Sequence, residues 1–99
     1  MGDWRTLTNH GLVLLCVARQ PGQRLREIAE CVGVTERAAQ RIVGELCEAG
    51  YVSRRRVGRR NTYEVHPERS LRDPLADGHN VGDLLSGLVD TPSPERAPA

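Results

Sequence analysis

The sequence predicts a small, mainly α fold: three helices, one β-hairpin and a short C-terminal helix. Three observations carry that expectation. Apolar residues recur at helical spacing in three stretches between Thr8 and Ala49. Two alternating stretches then flank Gly58-Arg59, as the arms of a hairpin do, and Val81, Leu84, Leu85, Leu88 and Val89 form a last apolar stripe. With 99 residues, 38% of them hydrophobic and 27% charged, the chain has the size of one domain whose core is near the minimum that sustains itself.

Thr8 is the expected N-cap of a first helix that runs to about Gln20, where Pro21-Gly22 stops it. This helix is apolar nearly all round, through Leu12, Val13, Leu14, Leu15, Val17 and Ala18. Such a helix is the element on which the others pack. In the second helix Leu25, Ile28, Ala29 and Val32 fall at i, i+3, i+4 and i+7, but no Ser, Thr, Asp or Asn caps its start. Gly33 ends it, because a sharp interhelix turn needs the left-handed conformation that glycine tolerates best. Thr35 caps the third helix, Glu36 suits its positive first turn, and Gly50 stops it.

Tyr51 to Val57 and Asn61 to His66 alternate as strands, with Val52, Tyr63 and Val65 inward and Gly58-Arg59 in the turn. Pro67 ends the hairpin. The chain then reads as acidic and loose until the last apolar stripe, which Asn80 can cap. About ten residues cannot hold a helix alone in water, so this one should dock on its own domain or on a second copy. The expected organisation is a unit of three helices and a hairpin over residues 1–66, a C-terminal extension over 67–90, and a disordered, proline-rich tail over 91–99.

The third helix raises the functional question. Ala38, Ala39, Ile42, Val43, Leu46 and Ala49 share one face, and Arg37, Gln40, Arg41, Gly44 and Glu48 the other. Arginine pairs bidentately with guanine and glutamine with adenine, while the small Gly44 lets a partner approach. An ordinary solvated face would also accept arginine and glutamine, which are good helix formers.

Charge adds to this. All 14 basic residues are arginine, a bias typical of a GC-rich bacterial genome, and the formal net charge is only +1. Residues 51–66 nevertheless carry five arginines against Glu64 alone, whereas residues 67–99 carry three against six acids. Arg54, Arg55, Arg56, Arg59 and Arg60 thus form a short basic strip suited to a polyanion.

A helix, a glycine turn, a second helix with this outer face and an arginine-rich hairpin make a winged helix-turn-helix pattern. Here the sequence resembles the MarR-like and ArsR-like bacterial regulators, over about residues 7–66. The matching stretches are LREIAECVGVTERAAQRIVGELCEAGYVSRR and GRRNTYEV. Within them Ala29 takes the small position of helix two, Gly33 the turn, and Ile42 the apolar position that locks helix three. Leu46, Ala49, Gly50, Tyr51 and Val52 resemble the family's approach to the wing.

The resemblance implies a homodimer on double-stranded DNA. Thr35, Glu36, Arg37, Gln40 and Arg41 become contacts to base edges and phosphates. Arg59 and Arg60 become wing-tip contacts with Asn61 beside them, and Arg54, Arg55 and Arg56 phosphate contacts. Val81, Leu84, Leu85 and Leu88 become the dimerisation stripe. The group differs from this chain in two respects: MarR-type proteins have two long C-terminal helices, and ArsR-type metal sensors carry a cysteine-containing motif where this chain has Thr35-Glu36-Arg37.

Other chemistries find little support. Cys16, Cys31 and Cys47 have no CxxC spacing, and His10, His66 and His79 lie in different elements, so no metal site and no cofactor is expected. Cys31 and Cys47 fall away from the apolar faces of their helices, but Glu30 and Glu48 beside them oppose the lowered thiol pKa that redox sensing needs. No nucleophile–base pairing marks an enzyme. The longest apolar run, Leu12 to Ala18, is far below the roughly 20 residues of a membrane span. A cytoplasmic, nucleoid-associated regulator with no effector named by its sequence is the expectation. The alternative is a winged-helix adaptor that binds protein, favoured by the acidic C-terminal third.

Overall fold

The structure is a computed structural model of the chain and describes residues 4–89. Helix α1, Asn9–Arg19, starts where Thr8 Oγ1 accepts from the Gly11 amide at 3.1 Å. It buries Val13, Leu14, Cys16 and Val17. Helix α2, Leu25–Val32, has the start that the sequence left open: the Glu27 carboxylate accepts from the Arg24 amide at 2.8 Å. A carboxylate inside the first turn thus satisfies an orphan donor in place of a capping hydroxyl. At the other end Arg5 Nη1 donates to the Val32 carbonyl at 3.1 Å, from 27 residues away. Gly33 follows with φ 88°.

Helix α3, Glu36–Glu48, is capped by Thr35, whose hydroxyl accepts from the Ala38 amide at 3.0 Å. Gly50 turns the chain out of it with φ 83°. Strands β1, Val52–Val57, and β2, Arg60–Val65, pair antiparallel from Val52↔Val65 to Val57↔Arg60, leaving Gly58-Arg59 as a two-residue turn. Val52 and Tyr63 are buried, and Val65 packs on the same core.

The segment after Pro67 corrects the expectation of a loose connection. Leu71 N–H donates to the His79 carbonyl and Val81 N–H to that of Arg69, both at 2.9 Å, and Gly82 N–H donates to that of Pro67 at 2.8 Å. The Arg72 amide donates to Tyr51 Oη at 2.7 Å. Backbone pairing across a loop leaves no side-chain periodicity, which is why the sequence showed polarity alone. One 3-10 turn, Pro74–Ala76, lies within it.

Helix α4, Val81–Leu85, is shorter than the stripe suggested, and Asn80 caps it by accepting from the Asp83 amide at 2.8 Å. Its apolar residues divide. Val81 and Leu85 are buried in the protein's own core and Val89 packs against it, whereas Leu84 and Leu88 are exposed. The core therefore runs from α1 through Ile28, Ile42, Val43 and Leu46 to the hairpin and on to α4. No charged side chain is buried among the described residues. None of their helices is long and apolar enough to cross a membrane. The tail expected over 91–99 lies outside the described residues.

Candidate nucleic-acid interface

Burial of Ala39, Ile42, Val43 and Leu46 fixes the rotation of α3. Arg37, Gln40, Arg41 and Glu48 are left exposed on its outer side, with Thr35 and Glu36 at its N-terminal end. The Thr35 hydroxyl is engaged as the cap. A Cβ built on Gly44 meets nothing within 4 Å, so the chain's own packing does not require glycine there. Arg37 has no carboxylate within 4 Å among the described residues, whereas Arg41 Nη1 lies 3.6 Å from Glu45 Oε1. That oxygen is also 2.6 Å from His10 Nε2 of α1. The hydrogen bond from His10, with the charge of Arg41 behind it, holds the Glu45 pKa below its ordinary value.

The hairpin divides its arginines. Successive strand residues face opposite ways, so the run Arg54-Arg55-Arg56 does not form one patch. Arg54 and Arg56 share the face of Val52, paired with Tyr63 and Asn61, while Arg55 pairs with Thr62 on the other face, beside Val57 and Arg60. Arg54 lies close enough to Cys47 for its charge to act on that thiol, which brings the first face beside α3. Arg59 occupies the turn. Arg60 is held back from the tip: its Nη2 donates to the Gly22 carbonyl and ties the hairpin to the α1–α2 loop. Arg56 Nε donates to the Gly58 carbonyl at 3.3 Å and stiffens the turn. None of the five pairs with a carboxylate among the described residues, so their charge is uncompensated locally.

Several contacts had no sequence signal. His10 and Glu45 are 35 residues apart, Arg60 and Gly22 are 38 apart, and the Arg69 guanidinium closes over Gly50, 2.9 Å from where a Cβ would stand. His10, Glu45, Tyr51, Arg69 and Leu71 line an open groove of about 870 Å³. Cys47 is partly buried against the core instead of turned away from it, because the hairpin folds back over that edge of α3, and burial raises its pKa. Burial likewise pushes the Cys16 thiol up to about 11, with Cys31 and Gln23 beside it. Raised values oppose thiolate formation at both positions. No three His, Cys, Asp or Glu residues gather to hold a metal among the described residues.

Two helices joined at a left-handed glycine, the second presenting arginine and glutamine beside an arginine-rich hairpin, define a winged helix-turn-helix protein. A family model described as MarR family matches residues 6–60, and the chain belongs to that family. The matched span takes in α1, α2, α3, β1 and the hairpin turn. Of the two groups the sequence resembles, the match falls on the MarR one. Members of the family are DNA-binding transcription regulators and not enzymes. No curated protein matches the chain.

Proposed function

We propose that the protein is a sequence-specific transcriptional regulator that binds double-stranded DNA as a homodimer in the cytoplasm, on the nucleoid. In this reading α3 enters the major groove and the hairpin meets the flanking minor groove or backbone. The observation that carries it is the outer face of α3, where Arg37, Gln40 and Arg41 share one side with the open Gly44, next to five locally uncompensated arginines. The hairpin arginines supply salt-dependent affinity by releasing counterions from phosphates, and α3 supplies preference among base pairs. Arg59 at the turn suits the strongly negative potential of a narrow A·T-rich minor groove.

In the dimer, residues 67–90 bring two copies together. Leu84 and Leu88 are the members of the stripe that offer exposed apolar surface to a partner, while Val81 and Leu85 support them from beneath. The adaptor reading draws on the same exposed leucines and on Leu75, also exposed in the acidic extension.

Alanine substitution tests the division of labour. Arg59→Ala should weaken binding to every sequence and flatten its salt dependence, whereas Arg37→Ala and Gln40→Ala should each cost about 1 to 3 kcal/mol on the preferred site only. Equal losses on preferred and random DNA for all three variants count against the reading.

A further inference from the structure

The Arg41–Glu45 pair is set in the order that helps a helix least, with the cation first and the carboxylate four residues later. At 3.6 Å, with side chains 62% and 49% exposed, it adds little to stability. What distinguishes it is a third group. His10 reaches from α1 to the same carboxylate oxygen at 2.6 Å, so the anchor of Arg41 is itself fixed to a second helix. Arg41 lies on the exposed side of α3, one turn from Arg37 and beside Gly44. One guanidinium nitrogen faces Glu45, and the rest of the rigid donor fork is uncommitted to it.

We propose that Glu45, anchored by His10, is a positioning residue for Arg41 that holds the guanidinium for a base edge and keeps it off the nearest phosphate. The proposal deepens the DNA-binding reading and rests on it. A long arginine is otherwise free to follow the strongest local charge, and in duplex DNA that is the backbone, which carries no sequence information. A carboxylate next to a polyanion weakens binding to all sequences alike. Glu45 therefore lowers total affinity and raises discrimination. Glu48 of α3 and Arg69, Arg72 and Asp73 of the following segment line the same groove as His10 and Glu45. None of them forms an ion pair with either residue among the described contacts.

The test uses the full chain and two duplexes of equal length and composition, one selected by the protein from a random pool and one scrambled. The quantity is the ratio of the two affinities. In Glu45→Gln, which keeps shape and hydrogen bonding but not charge, the ratio should fall about threefold or more, the low end for residues in direct contact. Most of that fall should come from tighter binding to the scrambled duplex. His10→Gln should move the ratio the same way by less, and its surface position guards against misfolding as the cause. With Arg41→Ala already present, Glu45→Gln should leave the ratio unchanged. An unchanged ratio in Glu45→Gln, or an equal fall with Arg41 absent, overturns the positioning role and leaves the DNA-binding reading intact. A wild-type protein that prefers neither duplex removes both.

Discussion

Thr8, Thr35 and Asn80 each accept the backbone N–H three residues ahead, and each was identifiable in the sequence because a short oxygen-bearing side chain before an apolar repeat has little other use. Thr35→Ala should lower stability by about 1 kcal/mol, seen as a shift of the urea midpoint. Gly44 makes the opposite case. A glycine inside a helix costs up to about 1 kcal/mol against alanine, and the open space over Gly44 shows that no neighbour requires it. Gly44→Ala should therefore raise the urea midpoint while weakening binding to the preferred duplex, since the added methyl stands on the surface proposed to approach DNA. A gain in both would mean that this face of α3 touches nothing.

Asp83 gives a pH dependence with a definite sign. The Asn80 amide at 3.0 Å, then His79, hold its pKa below the ordinary value. The folded protein therefore releases this proton more readily than the unfolded one. Its contribution is present at neutral pH and is lost as pH falls through about 4 into the acid range. Urea midpoints for Asp83→Asn should fall less between neutral and acid pH than those of the wild type. Long-range partners such as Arg60 with Gly22 had no counterpart in the sequence, because arginine is compatible with almost any exposed position and its choice of carbonyl depends on how the hairpin lies over the α1–α2 loop.

At the scale of elements, the 3.6-residue repeat placed α1, α2 and α3 to within a residue or two, and the two-residue turn set the hairpin register. Each of these elements buries a continuous face, so the core writes its period into the sequence. The connection from Pro67 to Asn80 does not, since it is held by backbone bonds and by the Tyr51 hydroxyl. Helix α4 shows the limit of pattern alone: five apolar residues lay at helical spacing, but one turn and its continuation suffice to bury Val81 and Leu85 and leave Leu84 and Leu88 outside. Leu85→Ala should cost about 2 to 4 kcal/mol. Leu84→Ala, at a side chain 37% exposed, should cost much less. Comparable losses would place Leu84 in the folding core.

For the whole molecule, a net charge of +1 conceals a hairpin of one sign and an acidic extension of the other, an arrangement that orients the winged face toward a polyanion. The proposed dimer is best tested on the outer surface. Cutting the chain at Pro74 removes Val81 and Leu85 from the core and confounds folding with assembly. Leu84→Glu combined with Leu88→Glu should halve the mass in sedimentation while the helical circular dichroism is retained. An unchanged mass would count against a dimer contact at these two leucines. Family and fold were legible in the sequence because the turn, the outer face of α3 and the hairpin lie within one contiguous stretch. The pairing of Arg41 with a fixed carboxylate was not, because the His10 that reaches Glu45 comes from α1.

The central claim is that α3 reads base pairs while the hairpin holds the backbone. Its most direct test is capture of genomic DNA fragments by the purified protein at two salt concentrations, followed by sequencing. The account predicts enrichment of a two-fold-related motif with half-sites about one helical turn apart, persisting at the higher salt. Capture that disappears at the higher salt and yields no motif would contradict it, because the arginines would then be attracting phosphates and reading nothing.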